Sequence, residues 1–223
     1  MKKANENGFS VIRLIQLDVL IDTYDWLKEL KENIMQIESS GEIQNIFMCK
    51  NNEYDADRYI GVLELVKQKS NWGKTDKNVK RGVAAYFCHS SYAAHVVDVT
   101  MKNGQPVVEK VVTAMDCGFV VNPEGAKNMV EGAVVDGIGN ALFGGMRFEK
   151  GVPMQKNLNQ YRIIRHREAP KSIDVHFVQN NIDPTGLGEP PFPPVFAALA
   201  NALYKAAGKR LYNQPYLNEL TKA

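Results

Sequence analysis

The chain is poor in the residues that build metal clusters and disulfide frameworks: its 223 residues include three cysteines and four histidines. Cys49, Cys88 and Cys117 are too few and too scattered for an iron-sulfur nest or a disulfide scaffold, and their plain reading is as small buried hydrophobes. A dominant charge is also lacking, since 27 Lys and Arg stand against 25 Asp and Glu for a formal net charge of +2. No whole-chain field therefore draws the protein to nucleic acid or to an anionic membrane surface. The apolar stretches are broken by charge or Gly well before the ~20 residues a bilayer requires, so no membrane span is expected. Met1-Lys2-Lys3-Ala4-Asn5-Glu6-Asn7 leads into no apolar run, so no signal peptide is expected and the compartment stays open. What is present is an ordinary globular composition, 44% hydrophobic, at a length that suits one domain or one and a half.

Periodicity divides the chain. Leu20, Tyr24, Leu27, Leu30, Ile34 and Ile37 recur at helical spacing and predict a helix from about Ser10 to Ser40. A second helix is expected from about Asp57, capped by Asp55, with Tyr59, Leu63 and Val66 inward and its end before Asn71-Trp72-Gly73. The basic stretch Lys74 to Arg81 reads as a solvated connector. Strand texture follows over Gly82–Cys88, Tyr92–Met101 and Val107–Met115, the last two joined at Lys102-Asn103-Gly104-Gln105, where Asn-Gly supplies the positive φ angles of a two-residue hairpin. Asn122 and Pro123 open a further helix that stops at Gly144-Gly145. A hairpin around Lys150-Gly151 and a strand through Ile173, Val175 and Phe177 come next. Pro193-Pro194 then starts a last Ala-rich helix, closed by Gly208 with Lys205 near its negative end. Helices followed by hairpins interleaved with helices predict an α+β fold, hairpin-rich sheets packed with helices behind a helical N-terminal segment, rather than a doubly wound parallel sheet.

Three segments carry candidate chemistry. In Ile182-Asp183-Pro184-Thr185-Gly186-Leu187-Gly188-Glu189-Pro190-Pro191, Pro stiffens the ends and Gly lets the backbone approach a ligand, so the loop can hold Glu189 at the mouth of a buried site. It can equally be a connecting turn with a solvated carboxylate. The Gly-rich run Glu131 to Gly145 fails as a dinucleotide fingerprint, because Gly137-Ile138-Gly139 lacks the third Gly and lies inside a helix. Its small residues suit close packing on a neighbour or on a large flat cofactor. Cys88-His89-Ser90-Ser91-Tyr92-Ala93-Ala94-His95 gathers reactive types, yet on a strand His89 and His95 would lie roughly 20 Å apart, too far to share an ion unless the chain turns. No metal ligand set is assigned. A reactive thiol at Cys117 would need a neighbouring base or cation to lower its pKa, and none is adjacent.

Taken in order, Asn71-Trp72-Gly73-Lys74, Tyr92-Ala93-Ala94-His95-Val96-Val97-Asp98-Val99, Val112 to Pro123, Val130-Glu131-Gly132-Ala133, Gly137 to Leu142, Gly186 to Pro191 and Ala200-Asn201-Ala202-Leu203 resemble the molybdopterin-binding large subunit of the xanthine dehydrogenase and aldehyde oxidase family. The likeness is strongest to the isoquinoline 1-oxidoreductase branch, in its beta chain. It covers roughly Tyr54 to Tyr216, which divides the chain into an unmatched helical segment, 1–53, and a C-terminal molybdopterin-binding domain, 54–218, forming part of a large subunit.

The resemblance implies that Glu189 is the base that takes a proton from a water-derived oxygen during hydroxylation of an N-heterocyclic aromatic or an aldehyde. It implies molybdopterin as cofactor, in the cytosine dinucleotide form, held in part by Leu187, Gly188 and the region of Met129. Met129 stands where the family usually has Gln, so that contact is either lost or passed to a backbone group. The family's preceding Gly-rich segments and cluster-bearing segments are absent from the sequence. The implied partners are therefore the remaining large-subunit portion and an iron-sulfur small subunit, with a small-molecule substrate, and activity is expected only in their company. Two rival readings are a non-catalytic remnant or interaction module of the same family and a cysteine-dependent hydrolase using Cys88 or Cys117.

Overall fold

A computed structural model of the protein describes residues 55–221. The helix expected between Ser10 and Ser40, and with it the N-terminal segment 1–53, lies outside these residues. The first described helix, α1 (Ala56–Lys69), starts where Asp55 accepts hydrogen bonds from the backbone N–H groups of Asp57 and Arg58. Such a cap stabilises a helix by about 1 kcal/mol. Strands β1 (Lys80–Cys88), β2 (Ser91–Lys102) and β3 (Gln105–Asp116) form an antiparallel meander. The second hairpin turns at Asn103 and Gly104, with φ of 51° and 74°, as the Asn-Gly pair predicted. Lys80 and Arg81 belong to β1 rather than to the connector, because they pair with Val99 and Asp98 of β2, where Arg81 also grips the Asp98 carboxylate at 2.6 and 2.7 Å.

Helix α2 (Pro123–Leu142) follows, capped by the Asn122 side chain on the Gly125 N–H. A two-strand hairpin comes next, β4 (Phe148–Glu149) and β5 (Val152–Pro153), turning at Lys150 and Gly151. Strand β6 (Ile173–Phe177) then joins the main sheet parallel to β3, giving the order β1-β2-β3-β6. Helix α3 (Pro193–Ala207) ends at Gly208 with φ of 70°, and a short α4 (Tyr216–Leu220) follows it. The Ala-rich helix is thus not the last one. A five-residue helix opened by Pro215 shows too little periodicity to be read from sequence.

Both faces of the sheet are covered. Val83, Ala85 and Phe87 of β1, Tyr92, Ala94 and Val96 of β2, and Val112 and Ala114 of β3 meet Tyr59, Val62, Leu63 and Val66 of α1. The alternate residues, Ala84, Val97, Val99 and Val111, meet α2 and α3 on the other side. Strand β2 is consequently buried without a break from Ser91 to Val99, although strand periodicity alone suggests one wet face. The small residues of the sheet and of α2 set how closely the layers approach. A Cβ at Gly82 would fall 2.1 Å from the Ala198 carbonyl of α3, and one at Gly137 would fall 3.0 Å from Val195. The Gly-rich run of α2 serves packing at Gly137 and Gly139, the latter against Ile164.

Candidate functional site

The acidic loop 182–192 is tied to one end of the sheet by backbone pairs that no periodicity announces. Phe119 N–H donates to the Ile182 carbonyl at 2.8 Å, Thr185 N–H to Cys117 at 2.9 Å and Gly186 N–H to His89 at 3.1 Å. The Ser91 hydroxyl adds a bond to the Gly186 carbonyl. Gly186 is pressed so closely on the β1–β2 turn that a Cβ there would stand 2.6 Å from the His89 Cβ. Beyond Glu189 the chain dives inward, and Pro190 and Pro191 are buried.

His95, fully buried on β2, fixes that buried end. Its Nε2 lies 2.7 Å from the Pro191 carbonyl and its Nδ1 2.8 Å from the Thr113 hydroxyl. A carbonyl only accepts, so Nε2 carries the proton and donates, while Nδ1 accepts from Thr113. Burial drives the His95 pKa from 6.5 down to about 4, and the bond to Pro191 offsets only part of that shift. The ring is therefore a neutral strut, not a ligand or a base. It meets the loop at Pro191, two residues beyond the Glu189 that faces His89.

A second clamp sits under residues 180–183. Arg58 of α1 holds Asp116 through Nε and Nη2, at 3.1 and 2.6 Å, donates from Nη1 to the Ser90 carbonyl and stacks over the Tyr92 ring. Asn180 and the Gly118 N–H complete the coordination of that carboxylate. Burial pushes the Asp116 pKa up, but these donors outweigh it and hold the carboxyl below its ordinary value. Next to it, burial and then the Asp116 charge push the Cys117 thiol up to about 11. A thiol so protonated near neutrality is a poor nucleophile, which removes Cys117 as a hydrolase candidate.

Glu189 itself emerges between the two anchors. Its side chain is 67% exposed, and its Oε2 lies 3.0 Å from Nε2 of His89, whose side chain is 49% exposed. Beside it opens a depression of about 380 Å³ lined by Met129, Gly132, Ala133, Asp136, Gly188, Glu189 and Phe192. The carboxylate thus stands at the rim of an open concavity rather than inside an enclosed one, because the described residues provide a wall on the α2 side only. Met129 and Gly188 share this surface, and a Cβ at Gly188 would lie 3.1 Å from the terminal methyl of Met129. Leu187 turns the other way and packs half-buried against the group formed by Met115, Cys117 and Val130.

Sequence reasoning singled out Glu189 and its neighbours, and weighed His89 and His95 as a metal or nucleophile site but not as partners of this loop. The signal was available in part: His89 falls where β1 must turn back into β2, and a polar residue at such a turn is free to meet a loop. His166 is exposed on a 3-10 turn at 166–168 and does not line the depression.

A wall of small residues, a clamped acidic loop and a sheet buried on both sides make this an α+β domain with an open depression beside Glu189. The chain belongs to the molybdopterin cofactor-binding domain family, which matches residues 26–170. That span begins inside the N-terminal segment and ends before Glu189. Among curated relatives, the chain is 33% identical over 187 residues to a component of nicotinate dehydrogenase from Pseudomonas putida, covering 74% of this chain and 16% of that protein. It is 31% identical over 184 residues to a membrane-bound, pyrroloquinoline-quinone aldehyde dehydrogenase of Gluconacetobacter polyoxogenes, covering 79% and 24%. The chain therefore spans a quarter or less of the length of these relatives. Among solved structures, quinoline 2-oxidoreductase from Pseudomonas putida 86 shares the fold, with a TM-score of 0.51 at 18% identity over 56% of this chain and 17% of that one.

Proposed function

We propose that this protein supplies the base and one wall of the active site of a molybdopterin-dependent hydroxylase acting on an aldehyde or an N-heterocyclic aromatic. The position of Glu189 carries the reading: a carboxylate anchored at both flanks of its loop and set at the rim of a concave surface. The residues around the depression fit a large flat group. A Cβ at Gly132 would meet nothing within 4 Å, and Ala133 adds only a methyl, so a ring can approach the α2 backbone there. Met129 offers no amide, which leaves hydrogen bonding on that side to backbone groups.

When bound, the cofactor supplies the Lewis-acid and redox chemistry. The chain's own part is to place Glu189 so that it takes a proton from the attacking oxygen, a contribution typically on the order of 10²–10⁴ in rate. His89 orients the carboxylate. With 67% of its side chain exposed, Glu189 stands uncovered on one side, and that cover is assigned to a partner. That partner is the remaining large-subunit portion. A further iron-sulfur subunit would accept the electrons, since three cysteines cannot furnish the four thiolates of a cluster. We assign the cofactor to the cytosine dinucleotide form from the likeness to the isoquinoline 1-oxidoreductase branch. Residues 54–218 are assigned to one domain, because α1 through α4 share the two sides of one sheet.

The test is co-expression with those two partners. The assembly should contain molybdenum and release a cytosine nucleotide on acid hydrolysis, and Glu189→Gln should lower turnover by roughly 10² or more with metal content intact. Full turnover in that variant, or loss of metal from it, would remove Glu189 from the role of base. An assembly without molybdenum under any partner condition would favour a non-catalytic remnant.

A further inference from the structure

Cys88, His89 and Glu189 bring one thiol, one imidazole and one carboxylate together, with their ligating atoms all within 4.8 Å of one another. Neighbouring residues on an extended strand point to opposite faces, so Cys88 and His89 would ordinarily diverge. Strand β1 ends at Cys88, however, and the two-residue turn that follows holds His89 and Ser90 at φ of 51° and 59°. Such angles are uncommon outside Gly, Asn and Asp. In this turn the ring and the thiol come to one side. The Gly186 bond to the His89 carbonyl then delivers Glu189 to the same point, its Oε2 3.0 Å from the imidazole Nε2.

From this geometry we infer that Cys88, His89 and Glu189 form a binding site for one borderline-soft divalent cation, of which zinc is the type. The donor set selects the ion: thiolate and imidazole favour zinc, whereas magnesium and calcium take all-oxygen shells. The spacing is close to what the ion needs. Bonds of about 2.0–2.3 Å in a tetrahedron put ligand atoms roughly 3.4–3.6 Å apart, so the His89–Glu189 pair at 3.0 Å opens slightly and any wider pair, all within 4.8 Å, closes by at most about 1 Å through side-chain rotation. Partial exposure of all three residues gives the ion a path in, and three protein ligands leave a fourth position for water. Cation binding here does not depend on the proposed enzyme activity. Its consequence does: a cation seated on the Glu189 carboxylate withholds it from proton transfer, so the site would inhibit the hydroxylase reversibly.

Cobalt(II) is the probe, titrated into the full reduced chain without cofactor. One equivalent should produce thiolate-to-cobalt absorption in the near ultraviolet together with tetrahedral visible bands, and zinc should abolish both. Cys88→Ser should remove the thiolate band. His89→Asn, which tolerates the left-handed turn, and Glu189→Gln should each weaken binding by roughly tenfold or more. Cys117→Ser should leave the spectrum unchanged. No thiolate band at stoichiometric cobalt, or an undiminished band in Cys88→Ser, would overturn the site. Circular dichroism of each variant confirms that any loss is not unfolding. Zinc inhibition of the assembled enzyme, relieved by a chelator, tests the consequence separately. If the assembly proves inactive, the proposed function fails while the cobalt spectrum still decides the site.

Discussion

Two histidines six positions apart grip the same loop, and their surroundings are opposite. His95 is sealed in the core between Thr113 and Pro191, while His89 stands half in solvent against Glu189. The buried ring is an element of structure, held neutral in one tautomer and responsible for where residues 190–191 lie. The exposed ring meets only the carboxylate tip of the loop, through one contact at 3.0 Å open to solvent. Residue type alone carries no such distinction; desolvation does.

Breaking the buried member should have the larger effect. His95→Ala leaves the Thr113 hydroxyl and the Pro191 carbonyl buried without partners and opens a cavity, which should cost about 3–5 kcal/mol in denaturant unfolding. The loop carrying Glu189 should loosen with it, visible as faster amide exchange at Gly186 and Glu189.

The same contrast predicts a pH signature. Because the His95 pKa in the folded state is depressed from 6.5 to about 4, the unfolded chain takes up the proton first as acid is added. Stability should therefore fall as pH drops from about 6.5 towards 4 and level off below, by up to roughly 3 kcal/mol. Stability curves recorded across that window should flatten in His95→Ala. An equal slope in the wild type and the variant would show that other groups carry the acid response. The smallest effect is expected at the exposed member. His89→Asn should change stability by less than about 0.5 kcal/mol, as at other surface positions, and a loss of several kcal/mol would mean that His89 is structural after all.

Much of the fold was legible in the sequence. Asn103-Gly104 announced its hairpin because only a few residues accept two consecutive positive φ angles. Asn122-Pro123 and Gly208 marked helix ends because capping chemistry is local. The parallel pairing of β6 with β3 was not legible, since it joins strands separated by α2 and a long connection, and its residues are only half-buried. The site divides in the same way. Glu189 and Gly188 could be found from a motif, and the surface role of Met129 is seen only once α2 is set beside the loop. The inward turn of Leu187, the strut at His95 and the approach of Cys88 and His89 to Glu189 all depend on contacts between distant parts of the chain, across roughly a hundred positions for the two histidines.

By itself the sequence determined the local grammar of this protein: where strands turn, where helices begin and end, and which acidic residue sits in a loop stiffened by Pro. Those features follow from backbone sterics and hydrogen bonding within a few residues. Only the tertiary structure decided which histidine is neutral and buried and which is free to meet the carboxylate, because burial and charge proximity belong to surroundings assembled from distant parts of the chain.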